Sequence, residues 1–181
     1  MLIVLGGLLG SGRQLLAREI AQAHSVKLYE IKQHLHHRGY RTPEGQYSQY
    51  AVRPQNDDQR MRVYEKALKD FPMLSKQYEN VIIERAFNRA LREYFLAQAR
   101  QFFDPVVFVW VESDDEHAER LMRRMVRRRL LRSVAGGMAI RQSQRAEFQP
   151  LLEVTPVFKN HRNRKAAAAE LWEMIQDLAK Q

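Results

Sequence analysis

The chain has no cysteine, which excludes a disulfide framework and thiolate metal sites. Long hydrophobic runs are missing as well: none approaches the roughly 18–20 apolar residues that a bilayer-spanning helix needs. Met1-Leu2-Ile3-Val4-Leu5 enters an apolar run with no basic leader, and Gly and Arg soon follow. That is not the pattern of a secretory signal. A cytoplasmic protein without membrane contact is the expectation. Acidic residues are in deficit: 21 Asp+Glu stand against 30 Lys+Arg, a net charge of +9.

That excess is local. Segment 118–132 holds seven Arg and one Glu, and segment 159–165 adds four more positive charges, so the remaining body is close to neutral. A uniformly basic chain would suggest nucleic acid. Two clusters on a neutral body suggest a discrete anion site as well. With 181 residues and an apolar fraction of 45%, the composition suits one compact domain and is too apolar for a disordered tail.

Five short apolar runs read as strands: Leu2–Leu5, Val26–Tyr29, Val81–Ile83, Val106–Val111 and Val154–Phe158. Their continuous Val, Ile, Leu and Phe content is that of strands buried on both faces of a parallel sheet. Between them lie helical stretches at Arg13–His24, Asp57–Ser75, Asn88–Phe103, Asp114–Arg129 and Arg164–Ala179. In the fourth, Ala118, Leu121, Met122, Met125 and Val126 follow the three-and-four spacing of an amphipathic helix. Ser113-Asp114-Asp115-Glu116 gives it an acidic entry, and Asp104-Pro105 separates the third helix from the next strand. The alternation predicts an α/β three-layer sandwich: a five-stranded parallel sheet with helices on both faces. Residues 39–56 and 130–150 fall outside the scheme and are too long for ordinary connections, so both are expected to be functional loops or lids.

The densest signal follows the first strand. Gly7, Leu8, Leu9, Gly10, Ser11, Gly12, Arg13 and Gln14 fit the spacing G-x-x-x-x-G-K-[ST] except at the last two positions. A strand, a glycine turn and a helix N-terminus make an anion cradle, since successive N–H groups point inward and the helix dipole adds positive potential.

The stretch LIVLGGLLGSGRQLLAREIAQA resembles the opening of small P-loop kinases, the ATP-binding phosphotransferases similar to zeta toxins and polynucleotide kinases. Asn80-Val81-Ile82-Ile83-Glu84-Arg85-Ala86-Phe87 is similar to that family's third strand and acidic residue. Val106–Val111 with Glu119-Arg120-Leu121 and Arg123-Arg124 is similar to its fourth strand and the helix leading to the lid. Gln144 to Leu151, Asn160 and the final helix complete the likeness in chain order, apart from 39–56. The resemblance implies a single kinase-like domain over 1–181, with an acceptor-side insertion at 39–56, a helical lid at 127–150, and ATP (or GTP) as ligand.

It also assigns roles. Amides of Gly7–Gly12 would hold phosphate. Arg13 stands where a lysine bridges the β- and γ-phosphates, keeping the charge on a planar fork. Gln14 stands where a hydroxyl ligates Mg2+. The family's catalytic aspartate aligns with Tyr29, leaving Glu30 as the substitute base one residue away. Glu84 keeps the acidic position after the third strand and is the candidate metal ligand. Arg124 and Arg128, then Arg120, are the lid arginines expected at the transferring phosphate, and Asn160 and Arg162 are expected beside adenine or ribose. Three of five requirements for phosphoryl transfer are thus met and two damaged, the mark of a degenerate member.

Other clusters carry less. His34, His36 and His37 have no evident acidic third ligand and read as a solvent-facing helix end. Tyr40, Tyr47 and Tyr50 interleave with Arg38, Arg41 and Arg53, either as a surface for a phosphorylated, aromatic or nucleic-acid acceptor or as a polar loop with packing tyrosines. Three functions remain open: slow transfer of the γ-phosphate to a small molecule or nucleic-acid end, a non-catalytic nucleotide sensor or scaffold, and a nucleic-acid-binding module using the basic helix.

Overall fold

The computed structural model describes residues 1–31, 57–85, 89–148, 155–161 and 163–181, with backbone only at 57–60 and 89. The histidine cluster, the Tyr/Arg-rich stretch 39–56 and Arg162 lie outside the described residues.

Five parallel strands form the sheet: β1 (Leu2–Gly7), β2 (Lys27–Leu28), β3 (Val81–Glu84), β4 (Val106–Glu112) and β5 (Val157–Lys159). Their order is β2-β3-β1-β4-β5, so the first strand lies at the centre and every residue of it is buried. Register is set by pairs such as Leu5 beside Glu84 and Gly7 beside Val111. Because side chains alternate across a strand, β1 feeds two cores at once. Leu2 and Val4 pack against helices α2 (Asp57–Gln77) and α3 (Arg89–Ala99), around Tyr64, Phe71 and Phe95. Ile3 and Leu5 face α1 (Arg13–Ala23) and α6 (Arg164–Leu178), through Leu16, Ile20, Leu171 and Ile175. The layered sandwich expected from the apolar runs is the observed architecture.

Several boundaries move. The second and fifth strands, expected at Val26–Tyr29 and Val154–Phe158, are Lys27–Leu28 and Val157–Lys159. Val26 and Tyr29 remain buried, so the apolar run marks burial more widely than it marks pairing. Within 130–150, after α4 (Asp115–Arg127), residues Val134–Phe148 form a fifteen-residue helix, α5, in keeping with the helical segment that the family resemblance implies and not with a loop read from composition. Gly136 and Gly137 conceal it, since glycine lowers helix propensity by about 1 kcal/mol each. Gly137 is needed for contact: a Cβ there would come within 2.6 Å of Leu131 and 2.7 Å of Met122. Ser133 Oγ accepts from the Gly136 amide at 3.0 Å, capping the helix start.

Phe71 is fully buried and meets Phe95, Phe102 and Phe103 edge-on, with centroids 5.3–6.5 Å apart. Phe71→Ala should cost about 3–5 kcal/mol in urea unfolding. Met73→Ala, at a side chain 49% exposed on the same helix, should stay within about 0.5 kcal/mol of wild type.

Candidate functional site

The turn from β1 into α1 is built so that backbone, not side chain, faces the site. Ser11 N donates to Leu8 O at 3.1 Å, closing a tight turn, and Gly12 caps α1 at φ 82°. Gly10, at φ 80°, lies against α4, where a Cβ would approach Ala118 and Met122 to 3.0 Å. A Cβ on Gly12 would collide with Asn160 Nδ2. Both glycines therefore answer a conformational and a steric demand. Among the described residues no acceptor meets the amides of Gly10, Gly12 or Gln14. They stand at the positive end of the α1 dipole, the arrangement that attracts anions.

Arg13 is the central side chain. Its Nη1 donates to the carbonyls of Gly7 at 2.7 Å and Leu8 at 2.8 Å, while Nε lies 3.1 Å from Glu84 Oε2. Burial draws the Arg13 pKa below its ordinary value and the Glu84 charge opposes that, so the fork remains a cation held inside the loop. Glu84 reaches it because Leu5 pairs with Glu84, which sets the end of β3 beside the end of β1. Among the described residues, no group of three or more His, Asp or Glu gathers around Glu84 or elsewhere.

A second set of contacts comes from α5. Arg141, 3% exposed, donates to Leu9 O at 3.0 Å, to Ser113 O at 2.6 Å and to Asp115 Oδ1 at 3.0 Å. One turn on, Gln144 Oε1 accepts from the Leu9 amide at 2.7 Å. Both backbone groups of Leu9 are thus held by one helix face. Arg145 adds a second bond to Asp115 Oδ1 at 3.0 Å. Arg141 and Arg145 carried no readable signal, because the glycines of this helix masked its periodicity.

A pocket opens beside the loop, lined by Gly12, Leu15, His117, Arg120, Arg124 and Asn160 among others. Asn160 follows β5 and donates Nδ2 to Ser11 O at 2.8 Å. A carbonyl can only accept, so this bond fixes the amide with Oδ1 as its remaining group. Asn160 Oδ1 and Arg120 Nε are buried without a hydrogen-bond partner among the described residues. Arg120 Nη2 lies 3.6 Å from Glu116. Of the sequence candidates, the structure therefore brings together Gly12, Arg120, Arg124 and Asn160 around the pocket, and pairs Arg13 with Glu84 at the loop. His117 and Leu15 were missed; both sit on stretches read only as helix. Arg128 ends α4 as an exposed cap residue and does not line the pocket. The basic entry to α6 has its own explanation: Arg164 pairs with Glu19 of α1 at 2.6 Å.

Tyr29 and Glu30 diverge. Tyr29 is buried and donates its hydroxyl to Asp70 Oδ2 at 2.6 Å. Glu30 pairs with Arg18 at 3.1 Å on the exposed surface, and no contact among the described residues joins it to Arg13 or Glu84. By alternation from Leu28, which packs in the α1 core beside Ile82, Glu30 falls on the sheet face that also carries Glu84.

No protein-family model matches the chain, and no curated protein matches it in sequence. Solved structures match in fold over nearly the full length. A gluconokinase from Sinorhizobium meliloti 1021 is 21% identical with a TM-score of 0.61, over 97% of this chain and 94% of that one. The shikimate kinase from Acinetobacter baumannii, in complex with shikimate, gives 14% and 0.58 over 98% and 93%. Kti12 from Chaetomium thermophilum, in complex with ADP-AlF3, gives 13% and 0.56 over 97% and 98%. The fold is that of the P-loop kinases. At such identities the likeness extends to architecture and not to substrate.

The Asp115 carboxyl lies below the ordinary aspartate value, chiefly because Arg141 donates to it, with Arg145 assisting against burial. A depressed folded value contributes stability above the unfolded pKa and loses it as pH falls. Asp115→Asn should therefore be less stable than wild type at neutral pH, and the gap should close as pH drops below about 4. Urea unfolding across that range checks it; a gap independent of pH would remove the carboxylate from the clamp's energetics.

Proposed function

We propose that this chain is a nucleotide-binding protein on a P-loop kinase fold, holding phosphates at Gly7–Gln14 and the base in the adjoining pocket. One observation carries the reading: an anion cradle and a half-apolar pocket share Gly12 and Asn160, and the pocket wall holds a buried donor and a buried acceptor without partners. A ligand that joins an anionic chain to a flat polar ring meets both needs. ATP is favoured over GTP, because Asn160 Oδ1 suits the exocyclic amine of adenine, whereas guanine presents a carbonyl at that edge. The narrower likeness to zeta toxins and polynucleotide kinases rests on the sequence motifs.

Binding without efficient transfer is the better-supported form. The hydroxyl position is Gln14, the aspartate position is a tyrosine bonded to Asp70, and Glu84 already faces an arginine. Slow phosphotransfer to a small molecule or a nucleic-acid end is the second reading, favoured by Glu30 and Glu84 on one sheet face of neighbouring strands. In it Glu30 is the base and Arg124 and Arg128 attend the transferring group. A helix long and apolar enough to cross a membrane is absent among the described residues; a cytoplasmic setting remains part of this proposal, on the lack of cysteine.

A ligand that binds only the folded state stabilises it by about 2.7 kcal/mol at 100 times Kd, a rise of about 5 °C or more for a chain of this size. ADP or ATP should produce that shift, GTP a smaller one, and Asn160→Ala should abolish the difference between the two bases. No shift at millimolar nucleotide would end the reading. For phosphotransfer, Glu30→Gln should lower turnover about 100-fold or more if Glu30 is the base; an unchanged rate returns Glu30 to the surface pair with Arg18.

A further inference from the structure

Phosphoryl sites of this fold are expected to use Mg2+, which demands near-octahedral oxygen ligands at about 2.0–2.1 Å and is commonly held by one or two carboxylates together with the phosphates. The residues here do not fit that ion. Gln14 occupies the hydroxyl position, and Glu84, the carboxylate that reaches the loop among the described residues, lies 3.1 Å from Arg13 Nε. The same guanidinium is anchored by Nη1 on the carbonyls of Gly7 and Leu8. Two carbonyl acceptors on Nη1 and a carboxylate beside Nε suit the spread charge of a guanidinium, and a single ammonium would serve all three less well. Both partners are largely buried, with side chains 16% and 12% exposed. A divalent ion on Glu84 would stand against a fixed positive charge in a poorly screened site, or would have to displace it from the carboxylate and from both carbonyls.

Charge for the phosphates is available without a metal. Arg13 Nη2 carries no acceptor among the described residues, and Arg120 and Arg124 line the adjoining pocket. We infer that this site takes its nucleotide as the metal-free polyphosphate anion, with Arg13, seated on Glu84, in the electrostatic place of the divalent cation. The inference rests on the nucleotide-binding reading and adds a claim about the chemical form of the ligand. Mg2+ coordinates free nucleotide in solution and removes negative charge from the form the site prefers, so it should weaken binding or leave it unchanged.

Isothermal titration of the full chain with ADP and with ATP, in EDTA and in excess Mg2+, separates the possibilities. The expected result is a Kd in EDTA equal to or lower than that in Mg2+. Tightening by Mg2+ of more than about threefold overturns the inference and leaves nucleotide binding intact. Absence of binding in both buffers overturns the nucleotide reading and this one with it. Glu84→Gln adds an independent arm: it frees Arg13 from its counter-charge, so affinity for metal-free nucleotide should rise, whereas loss of a metal ligand would lower affinity only in Mg2+. The wild-type comparison decides the matter even if that variant fails to fold.

Discussion

The pairing of Arg13 with Glu84 and with the carbonyls of Gly7 and Leu8 joins four parts of the molecule at one point: the end of β1, the glycine turn, the start of α1 and the end of β3. Glycine-rich backbone has little rigidity of its own, because each glycine surrenders more conformational freedom on ordering than any other residue. An internal cation bound to the loop's own carbonyls counters that loss. It also makes the carbonyls of Gly7 and Leu8 partners of a positive group.

The other contacts on the turn come from distant parts of the chain. Asn160 holds Ser11 O from beyond β5, and Arg141 and Gln144 hold both backbone groups of Leu9 from α5. Asp115 and Ser113 complete the Arg141 site from the start of α4. The loop is thus held from three sides, so that little ordering is left to a ligand, and preorganisation of this kind favours affinity. The same contacts couple the two basic segments, at α4 and after β5, to a single turn.

Much of this was legible in the residues. The central strand shows as an uninterrupted apolar run because both of its faces are buried, and the glycine spacing after it marks a backbone that must turn and approach closely. The amphipathic stripe of α4 is plain in Ala118, Met122 and Met125, with Asp114 accepting from His117 N at 2.6 Å as its cap. Helix α5 was legible only through the family resemblance, not in its own residue pattern. Two glycines in its first turns resemble a loop, and only the packing of Gly137 against Leu131 and Met122 gives the reason for one of them. The split between Tyr29 and Glu30 was equally hidden, because the face a residue takes at a strand end depends on where pairing stops.

The sequence by itself determined the layered α/β sandwich and the glycine turn that follows its first strand. These follow from local periodicity and from residue types at fixed spacing. Only the tertiary structure decided that Arg13 spends its fork on the loop and Glu84, that Arg141 and Gln144 reach Leu9, and that Arg120 and Asn160 line one pocket while Arg128 stays outside it. Each depends on the meeting of side chains far apart in the chain, which register, helix rotation and burial set together, and no short window of residues contains that information.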